Sequence, residues 1–285
     1  MTGEPKVTHL TGATGKTQSK EVTVSMRGMD GDRVLEDDGK TLDPDKRKTV
    51  TAQGLKAAAI TDSDQYAGFT RESATYNGAN EVGGTINDPW SKKTSTQHKS
   101  YADTEAYFVR TAATHSRTSV TSSGTAKDRV HSTVTTYDDY GMAETVEDKG
   151  DDAVTGDEKC SHTWYARNDD LGINSLVSRT RVTGKPCATT GDALDLPSDS
   201  SRPGDVISDV ATAYDKTTWS STQKPTVGEV QWTGRAKSYT ASNNPVRQKT
   251  ATTTYDALGR PLTVKTPTTH WSRPLHTPRP TQSVR

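Results

Sequence analysis

Thr135-Thr136-Tyr137-Asp138-Asp139-Tyr140-Gly141 and Thr253-Thr254-Tyr255-Asp256-Ala257-Leu258-Gly259 carry one pattern twice. Each is followed at the same distance by a Thr-Val pair, Thr145-Val146 and Thr263-Val264, so the copies agree at seven positions in one register. A weaker copy begins at Ala213-Tyr214-Asp215 without the Gly, and Thr75-Tyr76-Asn77-Gly78 is a further echo. The pattern has a physical reading. A β-branched run suits a pleated strand. It ends in Tyr, a large ring with a polar tip. Asp then opens a turn by accepting backbone N–H groups. Gly, able to take positive φ, closes a three-residue hairpin loop with a bulge. Thr-Val starts the return strand. Tyr137, Asp138, Gly141, Tyr255, Asp256 and Gly259 are therefore expected to be structural repeat residues.

The composition around these corners agrees. Hydrophobic residues are only 29% of the 285, well below the roughly 45–50% of an average soluble domain. Thr and Val dominate what remains. Disorder would need high net charge as well, yet 36 basic side chains balance 36 acidic ones. Strands with thin burial are the expected outcome, borrowing contacts from neighbouring repeats. Strand-like runs occur at 21–26, 129–137, 162–167, 175–183, 205–214 and 249–255, closed by Gly, Pro, Asn or Asp. Gln53–Ile60, with Leu55 and three Ala, is the best helical candidate. Residues 189–203 read as a loop or linker by composition. The expected organisation is a flexible segment at 1–20, an all-β antiparallel hairpin meander at 21–266, and a Pro-rich disordered tail at 267–285.

Several function classes lose support. Neutral charge and interleaved signs give no argument for nucleic acid or an anionic membrane. No apolar stretch approaches the ~18–20 residues of a membrane span. Met1-Thr2-Gly3-Glu4-Pro5-Lys6 lacks the apolar core of a signal peptide. The seven His are scattered, without His-x-x-x-His spacing, and no Gly-x-Ser-x-Gly elbow occurs. Thr11-Gly12-Ala13-Thr14-Gly15-Lys16-Thr17 has the wrong glycine spacing for a phosphate loop. Asp30-Gly31-Asp32 and Glu36-Asp37-Asp38-Gly39 lack EF-hand spacing and read as acidic turns. No enzyme activity, cofactor or metal is expected. Trp90, Trp164, Trp219, Trp232 and Trp271 offer platforms for glycans, but their large area reads better as anchorage of an aliphatic-poor sheet.

Tyr255-Asp256-Ala257-Leu258-Gly259-Arg260-Pro261-Leu262-Thr263-Val264 resembles the YD repeat, Tyr-Asp-x-x-Gly-Arg-x-x-Thr-Val, of bacterial Rhs proteins and their teneurin relatives. Residues 27–32, 76–78, 163–168, 176–179 and 205–210 look like the region preceding such repeats. The resemblance spans most of residues 20–266. It implies a β-strand spiral that closes into a hollow shell, in some members around a C-terminal toxin. This sequence departs from the pattern in showing neither the cleavage region with its Asp-Pro step nor a toxin. The implied function is a non-catalytic fragment of a shell or surface scaffold, extracellular or at the cell surface in its parent protein. Its partners would be the remainder of the shell or a toxin domain. The alternative is a carbohydrate-binding adhesion module of the same repeat family.

Cys160 and Cys187 are a candidate disulfide. With a turn at Leu171-Gly172-Ile173-Asn174, the two would face each other across a hairpin. The other reading is a pair of buried thiols. Two thiols alone do not complete a four-coordinate zinc site.

Overall fold

The computed structural model describes residues 6–122, 125–197 and 204–266. The fold is all-β and antiparallel. Its strands are β1 (Lys6–Thr11), β2 (Ser19–Ser25), β3 (Arg33–Leu35), β4 (Leu42–Arg47), β5 (Thr51–Ala52), β6 (Ile60–Thr61), β7 (Thr70–Asn77), β8 (Asn80–His98) and β9 (Asp103–Ser122). They continue as β10 (Thr125–Tyr137), β11 (Ala143–Asp151), β12 (Lys159–Asn168), β13 (Ile173–Thr183), β14 (Val206–Tyr214), β15 (Val230–Tyr239), β16 (Pro245–Tyr255) and β17 (Pro261–Lys265). Thirteen of them form one sheet in the order β1-β2-β7-β8-β9-β10-β11-β12-β13-β14-β15-β16-β17. From β8 onward each strand therefore pairs with its neighbours in sequence, as in a meander. β3–β4 and β5–β6 are separate two-stranded ribbons.

Three sequence expectations change. Gln53–Ile60 is not helical, because a distant carboxylate claims its backbone. Glu72 accepts the N–H groups of Lys56 and Ala57 at 2.9–3.1 Å, so they cannot serve an i−4 ladder. Lys6–Thr11, inside the segment read as flexible, forms β1 and pairs with β2 from Lys6↔Val24 to Thr11↔Ser19. The stretch at 189–203 carries a short 3-10 turn, Gly191–Ala193, and its 198–203 part lies outside the described residues. So does the tail at 267–285.

The chain divides into two compact units. One holds Met1–Trp164 and Thr180–Pro197, the other Tyr165–Arg179 and the chain from Asp209 onward. In the first unit, Val22 and Val24 alternate on β2 and are buried, as are Met26, Ala52, Ala57 and Ala74. That core is too small to be purely apolar, and buried charge fills the gap. Glu72, with no exposed surface, pairs with Arg117 at 2.7 Å, and Arg117 also reaches Glu81 at 2.5 Å. Gly84 makes room for the guanidinium: a Cβ there would stand 2.6 Å from Arg117 Nη2. Asp62 accepts the N–H groups of Arg27, Gly28 and Met29 at 2.8–3.3 Å and so pins the chain leaving β2. In the second unit the buried residues are small ones, Ala166, Ala211 and Ala213, and the large rings of Tyr214, Trp232 and Tyr239.

Candidate functional site

The Tyr-Asp corners are built alike, bond for bond. In the first, Tyr137 ends β10 and Ala143 opens β11 opposite it. Asp138 N–H donates to Met142 O and Gly141 N–H to Asp138 O, both at 3.0 Å. The Asp138 carboxylate accepts from the N–H groups of Tyr140 (2.9 Å) and Met142 (3.0 Å). In the second, Asp256 N–H donates to Arg260 O and Gly259 N–H to Asp256 O, again at 3.0 Å. Asp256 accepts from the N–H groups of Leu258 (2.9 Å) and Arg260 (3.0 Å). The glycines take φ of 67° and 75°, where an L side chain is strained. Even the flanking hydroxyl pair repeats: Thr136–Thr145 and Thr254–Thr263 both lie at 2.7 Å. The Arg260 guanidinium also holds the Asp256 carboxylate at 2.7 Å. Its own backbone N–H and then its side chain keep that carboxyl below the usual range.

Each tyrosine latches onto the preceding strand. Tyr137 donates its OH to Thr111 O on β9 (2.8 Å), Tyr255 to Val230 O on β15 (3.1 Å), and Tyr214 to Val177 O on β13 (3.0 Å). Thr111 stands opposite Pro89, which has no N–H to offer. Burial pushes the Tyr137 and Tyr214 hydroxyls above their ordinary pKa.

Three further corners share this plan, and two went unrecognised in the sequence. Tyr239-Thr240-Ala241-Ser242-Asn243 closes with Thr240 N–H to Asn244 O and Asn243 N–H to Thr240 O, both 2.9 Å. Thr240 Oγ1 does the work of the Asp, and Asn243 takes φ 61° in place of Gly. Asn168-Asp169-Asp170-Leu171-Gly172 repeats the Asp-x-x-Gly turn, with Gly172 N–H donating to Asp169 O at 3.1 Å. The signal was the offset: Asn243 and Gly172 each stand four residues after the strand-ending side chain, and Asn is the residue after Gly that best tolerates this conformation. The third corner is the weak copy at Tyr214-Asp215. Its closing bond, Asp215 N–H to Glu229 O at 2.8 Å, encloses residues 216–228, ten more than the three in a compact corner. The missing glycine is present after all, displaced to Gly228, φ 88°.

The disulfide geometry differs from the expected cross-strand pair. Cys160 and Cys187 are bonded with Cα atoms 4.9 Å apart. The hairpin turns at Asp169–Gly172, earlier than expected, and Cys187 lies in the turn beyond β13, with its N–H on Glu147 Oε2 at 2.8 Å. Cys160 pairs with Glu147 across β11 and β12. The carboxylate thus fixes the turn that carries Cys187 beside Cys160.

Two polar clusters invite a chemical reading. In the first unit, Arg71, Asp88, His115, Ser132 and Asp152 form a line. Arg71 holds Asp88 at 2.5 Å, and Asp88 Oδ2 lies 3.2 Å from His115 Nε2. His115 Nδ1 lies 2.7 Å from Ser132 Oγ, which donates to Asp152 at 2.7 Å. Asp-His-Ser contact is the order of a hydrolytic triad. Here, however, Ser132 Oγ donates to Asp152 at 2.7 Å, and Ser132 is only 1% exposed, on the wall of a cavity of about 300 Å³ that it shares with His115 and Asp152. The line reads as a structural ladder: Ser132 and His115 are a direct cross-strand pair on β10 and β9. In the second unit, Asp209 accepts from Arg179 Nε (3.0 Å) and Nη2 (2.5 Å), Arg247 Nη1 (2.7 Å) and Tyr239 OH (2.6 Å). Burial alone would raise its pKa, but these donors hold the carboxyl below the usual range.

Four of the five tryptophans lie among the described residues. Trp232 is 4% exposed and donates its indole N–H to Thr217 O, while Trp219 donates to Ser178 O. Trp90 lies 4.9 Å from the Tyr137 ring, and Trp164 stacks on His162 at 3.9 Å. Trp271 lies outside the described residues. Among the described residues, no group of three or more His, Cys, Asp or Glu converges to hold a metal, and no helix is long and apolar enough to cross a membrane. No protein-family model matches the chain, and no curated protein shows detectable similarity to it.

Proposed function

We propose that the chain is a non-catalytic structural segment of an Rhs/YD-repeat shell or surface scaffold associated with toxin delivery. The observation that carries this reading is the recurrence of one hairpin corner, with the same hydrogen bonds, at Tyr137–Ala143 and Tyr255–Pro261. Repetition of a turn whose polar groups are satisfied within itself is the mark of a scaffold unit.

The test is an immunoblot of the source culture with antibodies raised against this chain. The expected result is reactivity in a polypeptide far larger than 30.8 kDa, enriched at the cell surface or in the medium. A sole species of the chain's own mass, confined to the cytosol, overturns the proposal.

A further inference from the structure

We infer that the expanded corner between β14 and β15 is a binding site for a tetrahedral oxyanion, a phosphoryl or sulfate group borne on a small polar molecule. The corner does not need its extra residues to turn the chain. Asp215 and Glu229 already make the closing bonds of a compact corner, and Gly228 already stands in the left-handed position before the return strand. The ten additional residues are thus not needed to close the turn, and inserted loop residues are where function is often carried.

The insert is held rigid. Gln223 donates to Ser178 Oγ (2.9 Å) and Thr212 O (2.8 Å) and accepts from Tyr214 N–H (3.0 Å). Pro225 is fully buried, and its carbonyl accepts from Asn168 Nδ2 at 2.9 Å. The indole N–H groups of Trp219 and Trp232 clamp the loop at Ser178 O and Thr217 O. The ordering entropy of the loop is thus met within the unit, which leaves its outer face preorganised.

That face encloses a cavity of about 350 Å³, within the size range of small-molecule sites. Lys216, Lys224, Thr218, Ser220, Thr222 and Thr226 line it. Among the described residues neither ammonium pairs with a carboxylate. Asp215, the acidic side chain at the cavity, has both oxygens engaged. Oδ2 takes the N–H groups of Thr226 (2.6 Å) and Val227 (3.0 Å), and Oδ1 those of Gly228 (2.9 Å) and Glu229 (2.8 Å). Two point-charge donors amid hydroxyls, with no carboxylate free to take them, suit an oxyanion with polar substituents.

The test is a ¹H–¹⁵N titration of the whole chain with inorganic phosphate, inorganic sulfate, glucose 6-phosphate and glucose at low salt. Saturable shifts at residues 218–226 are expected for the three anions, with Kd of about 1 mM or tighter, and none for glucose. Lys216→Gln and Lys224→Gln are each expected to weaken binding, and the double variant to weaken it about tenfold or more. Both lysines are exposed, so the amide spectrum elsewhere stays unchanged. The inference is overturned by absent or non-saturable shifts, by equal binding of glucose, or by a double variant that loses less than about tenfold.

Discussion

Replacing Asp209 by Ala removes an anion shared by the Arg179 and Arg247 guanidinium groups. The wild-type carboxylate accepts four hydrogen bonds from Arg179, Arg247 and Tyr239, and it has no exposed side-chain surface. Arg179 and Arg247 are themselves only 13% and 10% exposed. Breaking a buried pair by removing one partner costs about 3–5 kcal/mol, because a charge is left buried without compensation. Here one carboxylate serves two guanidinium groups, so the expected loss sits in the upper part, about 4–5 kcal/mol. That is a large share of the ~5–15 kcal/mol that holds a typical domain together. Urea unfolding followed by tryptophan fluorescence reads it directly, since the Trp219 ring lies 5.1 Å under the Arg247 guanidinium. The triple replacement Asp209→Leu, Arg179→Met, Arg247→Met should recover most of the loss, as apolar isosteres of buried ion clusters often do. A loss under about 1 kcal/mol for Asp209→Ala, or one no larger than that of the more exposed Asp256→Ala, refutes the assignment of Asp209 as the polar keystone of this unit.

Acid titration offers a second check. The Asp209 carboxyl is held below its ordinary value of 3.8, so the folded state binds fewer protons than the unfolded one near that pH. Its contribution is full above about pH 4 and is lost as pH falls through the lower folded pKa; Asp209→Asn should flatten that part of the stability curve. Gly141→Ala and Gly259→Ala share the positive-φ penalty of about 1–2 kcal/mol. Gly141→Ala should cost clearly more in thermal melts, because its Cβ meets the Phe108 ring at 2.9 Å whereas that of residue 259 meets only Glu229 Oε1 at 3.4 Å. Equal melting shifts would contradict the packing described. Reducing the Cys160–Cys187 bridge, with its separation of 27 residues, should lower stability by about 3–4 kcal/mol in the chain-entropy model; an unchanged melt with dithiothreitol would show that the bridge constrains little.

The strand class was legible because Thr and Val leave few other options, and the two full Tyr-Asp corners were legible because every hydrogen-bonding group in them is local. What was hidden depends on distance or substitution. Glu72 unravels a helix-like stretch fifteen residues upstream of it, and no local pattern around Ala57 announces that. Asp62 caps a turn more than thirty residues before it. Thr240 and Asn243 replace Asp and Gly while keeping the bonds, so a search for identical letters passes over the corner. Gly228 is displaced by a ten-residue insert, so the third copy looked incomplete. The low apolar content also has its counterpart here: Glu72, Arg117, Asp62 and Asp209 take up interior space that aliphatic side chains fill elsewhere, and such pairing is invisible in a linear chain.

The direction of the tyrosine latch has a consequence for synthesis. Tyr137, Tyr214 and Tyr255 each seal onto a carbonyl that left the ribosome 25–37 residues earlier. A newly emerged hairpin therefore needs nothing still to be translated in order to be fastened. Growth from the amino end, one latched arm at a time, keeps the sequence separation of each closing contact short and leaves, besides the outer edge of β1, one new unsatisfied edge exposed to other nascent chains at any moment.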